Sequence, residues 1–275
     1  MKVFGKIGII GGGNMGSALV GGLRQQQVSA ADILVADTNP QTCKLLREKW
    51  GISTSLHPAD IIEKVELLVL AVKPQHMKVL LNEIASQFQP NKTLLISIAA
   101  GITTTQIKKW LGQSFCDVVR AMPNTPALLN AGVTGLYATE DVSPAKKQQA
   151  QNLLNAVGET IWIEEESLMD VVTALSGSGP AYFFYLMEML VNSATTLGLT
   201  HEIASFLTLQ TAMGSAKMAL LSQEDIATLR LNVTSKGGTT EAGINVLKDG
   251  KLQDLITKTL KAAAQRGKDL SQQFD

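Results

Sequence analysis

Along the first half of the chain, short unbroken apolar runs alternate with stretches of helical spacing. Residues 7–10, 33–36, 66–72 and 93–98 are each apolar nearly throughout, and each ends in a glycine, an acid or a Lys-Pro pair. Runs without polar alternation are the mark of parallel strands covered on both faces. Helical spacing follows at 15–25, 40–50 and 75–87, so strand and helix alternate as in an open α/β sheet. Residues 117–120 predict a further strand. Ser143-Pro144 is the cap and first position of a helix that Gly158 closes, and 161–163 predicts the last strand of this part. The acids Glu164, Glu165 and Glu166 with Ser167 then read either as a linker or as no more than a solvated turn. The pattern changes beyond it. No proline follows Pro180, strand-like alternation is lost, and helices are predicted over about 180–197, 200–221, 222–231 and up to Gly250. Ser176-Gly-Ser-Gly-Pro180 is expected to be a flexible turn opening the first of them. The chain divides accordingly into a Rossmann-like α/β domain with a predominantly parallel sheet, residues 1–165, and an all-α domain, residues 166–275.

The first strand runs into Gly11-Gly12-Gly13-Asn14-Met15-Gly16, the G-x-G-x-x-G spacing at a strand-to-helix turn. There Gly11 permits the tight turn, Gly13 the approach of a pyrophosphate, and Gly16 the packing of helix on strand. The first amides of that helix then face an anion. Asp37 ends the second strand about twenty residues further on, where a carboxylate accepts the ribose hydroxyls of NAD and repels the 2′-phosphate of NADP. It equally suits the turn Thr38-Asn39-Pro40 or a helix cap. Strand ends are the ligand edge of such sheets, so Ala71, Val72, Lys73 and Pro74, and Ala99 with Ala100, should line the same crevice. Lys73 is placed either to touch cofactor or simply to be solvated. Pro123 and Pro126 make a rigid loop of 121–126 at that edge.

In the helical part, helix 200–221 is apolar on more than one face, and with 181–191 it carries more apolar surface than so small a domain hides within itself. A homodimer through these helices follows, or packing onto the first domain. The stretch Val233-Thr-Ser-Lys-Gly-Gly-Thr-Thr240-Glu-Ala-Gly243 brings four hydroxyls around two glycines to the start of a helix. One cap needs one hydroxyl, so the excess points to a small carboxylate held by hydroxyls, amides and helix dipole.

Composition narrows the chemistry. The 275 residues include 24 Lys+Arg and 24 Asp+Glu, which leaves no global field for nucleic acid or an anionic membrane. Cys43 and Cys116 form no metal or disulfide pattern, no metal is expected, and the opening residues run straight into the first strand. A cytoplasmic protein is the expectation. No Ser–His–Asp set or activated cysteine is visible, and His57, His76 and His201 fall away from the expected ligand edge. A nicotinamide cofactor would then carry the chemistry, and reduction of an already electrophilic C=N bond needs the least from the protein.

Taken together, the glycine loop, Ala71-Val-Lys-Pro74, Ser97-Ile-Ala-Ala-Gly101, Arg120-Ala-Met-Pro-Asn-Thr-Pro126, Ser176-Gly-Ser-Gly-Pro-Ala-Tyr182 and the 233–243 stretch resemble pyrroline-5-carboxylate reductase over nearly the whole chain. The resemblance implies NAD(P)H-dependent reduction of 1-pyrroline-5-carboxylate to L-proline by a Rossmann domain and a helical dimerisation domain, with dimers that commonly assemble into decamers. It implies that Ser235, Gly238 and Thr239 hold the substrate carboxylate and that Thr240 hydrogen-bonds the ring nitrogen. Asn124 would sit by the nicotinamide, with Gly11–Gly16, Asp37–Asn39, Ala71–Pro74, Ala99 and Ala100 around the cofactor. NADPH is the family's preference, while Asp37 keeps NADH open. Lys236 stands where the family often has proline.

Overall fold

The computed structural model describes residues 5–90, 92–113 and 115–273. The first four residues, on which the expectation of a chain without a leader rests, lie outside the described residues. The chain packs as two compact units, Met1–Ser178 with Ala262–Asp275, and Gly179–Lys261.

In chain order the first unit comprises β1 (Ile7–Ile10), α1 (Asn14–Gln25), β2 (Ile33–Ala36), α2 (Pro40–Trp50), β3 (Ser53–Ser55), α3 (Ala59–Ile62), β4 (Leu67–Leu70), α4 (Pro74–Ile84), β5 (Leu94–Ser97), α5 (Thr104–Leu111), β6 (Val118–Met122), β7 (Gly132–Ala138), α6 (Pro144–Leu154), β8 (Gly158–Trp162) and α7 (Met169–Val172). The strands form one eight-stranded sheet in the order β3-β2-β1-β4-β5-β6-β7-β8. Every pairing is parallel except β6 with β7. The mostly parallel Rossmann-like sheet is thus as expected.

Strand periodicity divides the apolar runs between two cores. Ile7, Ile9, Val35, Val69 and Ile96 face Leu19 and Leu23 of α1 and Leu153 and Leu154 of α6. Ile10, Leu34, Leu68, Leu70 and Leu95 face Ile61 and Ile62 of α3 and Met77, Leu81 and Ile84 of α4. Continuous apolar strands were required because both faces are buried. At β1 the chain order reverses, with β2 on one side and β4 on the other, so the crevice beyond their carboxyl ends is the natural ligand edge.

Three local expectations are corrected. Strands β3 and β7 are additional: the first is Ser-Thr-Ser on a sheet edge, and the second carries Gly132, Thr134 and Gly135, so neither has an apolar signature. Ser176–Pro180 is not a free turn. Residues Thr173–Gly177 form a π-helical turn, the Ser178 N–H donates to the Thr173 carbonyl, and helix begins again at Gly179. Nor is Glu166 simply solvated. Its carboxylate accepts the Thr104 N–H at 2.7 Å and the Thr104 hydroxyl at 2.8 Å, and it pairs with Arg120 at 3.4 Å. Arg120 is 3% exposed and also holds Asp170 at 3.1 Å. This network joins β6, the start of α5 and α7, and Gln106 of α5 reaches the Ser271 carbonyl near the chain's end.

The second unit holds α8 (Gly179–Thr196), α9 (His201–Leu221), α10 (Ile226–Asn232), α11 (Thr239–Asp249) and the opening turns of α12 (Leu252–Gln273). The Ser222-Gln-Glu-Asp225 spacing predicts a capping box that starts the helix at Ser222, but it is Asp225 that caps α10, by accepting the Thr228 N–H. Among α8 and α9, only Gly179, Val191 and Ala204 are buried, while Phe183 and Phe206 are each 64% exposed. No described helix is long and apolar enough to cross a membrane.

Removing the guanidinium would leave two partly buried carboxylates without their cation, a change that costs roughly 3–5 kcal/mol. Urea unfolding of Arg120→Met should register a loss of that size, with most of it recovered when Glu166→Gln and Asp170→Asn are added. A loss under about 1 kcal/mol would assign the network no structural weight.

Candidate functional site

At the end of β1 the Gly11 N–H donates to the Ala36 carbonyl at 2.8 Å, and the chain turns with φ of +103°. A side chain there would lie 2.5 Å from the Ala71 carbonyl. Gly16 is tighter still, since a Cβ on it would stand 2.0 Å from the Gly11 carbonyl oxygen. Helix α1 therefore starts directly against the loop. A Cβ at Gly13, by contrast, meets nothing within 4 Å, and Gly13 opens α1 without a side-chain cap. Space and first-turn amides at Asn14, Met15 and Gly16 are thus both left for an anion, as a dinucleotide pyrophosphate requires.

Asp37 fastens this loop. One carboxylate oxygen accepts the Gly12 N–H at 2.7 Å, and the other accepts the Asn39 N–H at 2.8 Å. Asn39 in turn caps α2 by accepting the Gln41 N–H. Thr38 stands exposed beside them. A cavity of about 470 Å³ adjoins the loop and is lined by Gly11, Asp37, Thr38 and Val72. It is also lined by His57, which follows β3, and His76, in the first turn of α4. This corrects the expectation that these histidines lie off the ligand edge. His76 sits six residues past Leu70, within reach of the strand-end rule, whereas His57 was hidden because β3 has no apolar run. His201 lies in the other unit, at the first position of α9.

Ala71 extends β4 by donating to the Ile10 carbonyl, and Pro74 opens α4 from Lys73, which provides no side-chain cap. Ala99 is buried in the core and Ala100 is half-buried at the end of β5. Asn124 is 9% exposed. Its Oδ1 accepts the Val133 N–H at 3.0 Å, and its Nδ2 donates to the Ser176 carbonyl at 3.3 Å, beside the π-helical turn. The expected loop of 121–126 is shorter, since Ala121 and Met122 belong to β6 and Thr125–Leu129 form a 3-10 turn, and Asn124 between them is anchored to two other segments. Cys116 offers no nucleophile, because burial pushes its thiol up to about 11.

In the second unit, α10 ends at Asn232 and α11 begins at Thr239. The four hydroxyls between them divide. Thr234 donates to the Arg230 carbonyl at 2.6 Å, a local bond back into α10. Ser235, Thr239 and Thr240 are exposed, and none of them caps α11, which opens on Gly238. Gly238 donates to the Ser235 carbonyl, and Glu241 accepts the Gly237 N–H at 2.7 Å, so the turn is held without those hydroxyls. Lys236 is exposed on the same turn. Side chains of Asn39, Thr103, Ser143, Thr200 and Asp225 cap α2, α5, α6, α9 and α10. Helices α1, α4 and α11, which open at the glycine loop, at Lys73 and at the hydroxyl-rich turn, lack such caps, as do the four-residue helices α3 and α7.

Residues 166–270 match the family described as pyrroline-5-carboxylate reductase dimerisation, and residues 6–101 match NADP oxidoreductase, coenzyme F420-dependent. A pyrroline-5-carboxylate reductase of Pseudomonas aeruginosa is 45% identical over 98% of both chains. The solved structure of one from Coxiella burnetii superposes with a TM-score of 0.93 at 42% identity, covering 98% of this chain and 99% of that one. A Plasmodium falciparum pyrroline carboxylate reductase, solved with NADP bound, gives a TM-score of 0.86 at 27% identity over 98% of this chain and 99% of that one.

The two loop glycines should separate binding from folding. Gly13→Ala adds a methyl group to open space, so urea unfolding should change by no more than about 0.5 kcal/mol while dinucleotide affinity falls at least tenfold. Gly16→Ala drives a methyl into the Gly11 carbonyl and should lose about 1–3 kcal/mol of stability. Equal effects of the two on stability would contradict this assignment.

Proposed function

Since the chain belongs to the pyrroline-5-carboxylate reductase family, we propose that it reduces the C=N bond of 1-pyrroline-5-carboxylate to L-proline, the last step of proline biosynthesis, with NADPH as preferred reductant and NADH as the second. The observation that carries the substrate assignment is the start of α11. Three exposed hydroxyls, at Ser235, Thr239 and Thr240, stand around a helix N-terminus that none of them caps. Structural capping accounts for Thr234 alone.

The residues of the glycine loop fit a dinucleotide, since Gly13 leaves open the space a side chain would fill and α1 has no competing cap. The bound nicotinamide supplies the hydride. The first amides of α1 hold the pyrophosphate, and Ala71–Pro74 with Ala99 and Ala100 form the walls at the strand ends. Asn124 positions the rigid loop beside the ring. At α11, the hydroxyls of Ser235 and Thr239 and the Gly238 backbone hold the carboxylate, assisted by the positive end of the helix dipole. The Thr240 hydroxyl donates to the ring nitrogen and holds a proton there as the carbon is reduced. NADPH is placed first on the family likeness, and the two backbone N–H groups that Asp37 accepts draw its carboxylate toward the loop.

We take residues 1–165 as the dinucleotide domain and 166–275 as the helical substrate and dimerisation domain of a cytoplasmic enzyme. The exposed apolar faces of α8 and α9 flank a groove of about 1030 Å³ lined by Phe183, Phe184, Leu186 and Met213 among others. A second copy of the chain covers these faces in the proposed homodimer. Assembly beyond the dimer, to a decamer, rests on the resemblance alone.

The test is consumption of NADPH and of NADH with 1-pyrroline-5-carboxylate, against a 2-keto acid control. Turnover with the pyrroline and none with the keto acid is expected, and no turnover with either cofactor would overturn the proposal. In the same assay Thr240→Ala should lower kcat by roughly 1–3 kcal/mol in transition-state stabilisation, about five- to 150-fold. The dissociation constant for NADPH should stay within about twofold. Unchanged turnover would remove Thr240 from the chemistry.

A further inference from the structure

The cavity beside the glycine loop is where the adenosine end of a dinucleotide lies in a sheet of this kind, beyond the ends of β1 and β2. Asp37, the residue usually given the choice between a 2′-hydroxyl and a 2′-phosphate, has both carboxylate oxygens engaged by the Gly12 and Asn39 amides. Among the described residues the cavity lining contains no lysine or arginine. Its groups able to carry positive charge are His57 and His76, which reach it from the loop after β3 and from the first turn of α4.

We propose that His57 and His76 decide the cofactor's 2′ substituent and make the preference for a 2′-phosphate proton-linked. The inference rests on the dinucleotide reading above and gives it a mechanism of discrimination. Both histidines belong to ordered backbone. The His57 N–H donates to the Ser55 hydroxyl at 3.0 Å and its carbonyl accepts the Asp60 N–H, while the His76 N–H donates to the Lys73 carbonyl. The anionic groups facing the same space are Asp37 and, on α4, Glu83. Asp60 of α3 accepts the Ser55 hydroxyl, which itself accepts the His57 N–H. With neutral imidazoles the lining is net acidic and opposes a phosphate. With both imidazoles protonated their two charges offset those of Asp37 and Glu83, so the opposition is lifted, and two further N–H donors become available to phosphate oxygens. Imidazole is the side chain whose charge changes between pH 5 and 8. Affinity for the phosphorylated cofactor is therefore gained as pH falls and lost as it rises, while an unphosphorylated 2′ position has no comparable dependence.

The experiment is calorimetric binding of adenosine 2′,5′-bisphosphate and of 5′-AMP to the intact protein at pH 8 and pH 6, in wild type and in His57→Gln, His76→Gln and the double variant. The quantity read is the ratio of the two dissociation constants. The bisphosphate's own titration is common to all four proteins and cancels between them. In wild type the ratio should shift toward the bisphosphate by about tenfold more between pH 8 and pH 6 than in the double variant, with each single variant between. The same pH response in all four proteins would overturn the role of the histidines while leaving the dinucleotide site intact. Failure of both nucleotides to bind wild type would overturn the dinucleotide reading itself, and this inference with it. Thermal unfolding of each variant guards against loss of fold, and a single-variant effect in a fully folded protein suffices to support the proposal.

Discussion

Gly16 against the Gly11 carbonyl is the contact on which the rest of the dinucleotide half depends. A Cβ at Gly16 would lie 2.0 Å from that oxygen, so helix α1 can begin where it does only because no side chain is present. That approach puts Leu19 and Leu23 against Ile7 and Ile9 and covers one face of β1. It also fixes the loop whose Gly12 N–H is held by Asp37 at the end of β2. Loop, helix and second strand are thereby one rigid corner at the point where the strand order reverses. The chemistry at the sheet edge inherits its geometry from this corner.

Much of this was legible because burial on both faces forces a distinctive composition. Strands β1, β2, β4 and β5 have no polar residue to confuse with a turn except Ser97, and the glycine spacing locates the loop directly. What escaped a local reading depends on distant partners. Glu166 lies in an acidic run that composition assigns to solvent, yet Arg120 and Thr104, far from it in sequence, bring it into the first unit. Strand β3 is polar because it is an edge, and with it His57 was lost from view. The Ser176–Pro180 glycines looked like flexibility, whereas a π-helical turn uses the segment to present the Ser176 carbonyl to Asn124.

The hydroxyl-rich turn illustrates the opposite case, in which sequence redundancy was informative and the structure sharpened it. Four hydroxyls around two glycines exceed the need of a cap, and the structure assigns Thr234 to a carbonyl of α10 while leaving Ser235, Thr239 and Thr240 exposed. Five other helices take side-chain caps, whereas α1, α4 and α11, like the short α3 and α7, open without them. A first turn without a cap forgoes about 1 kcal/mol of local stability, and at α11 it leaves the first amides free for the carboxylate proposed above.

The central claim is that the hydroxyls before and within the first turn of α11 serve the substrate rather than the helix. It is tested most directly by the KM for 1-pyrroline-5-carboxylate of a Ser235→Ala/Thr239→Ala variant whose urea unfolding midpoint is recorded alongside. The account predicts a KM raised by about tenfold or more and a midpoint within error of wild type. An unchanged KM, with a midpoint lowered as it is on losing a cap, would contradict it.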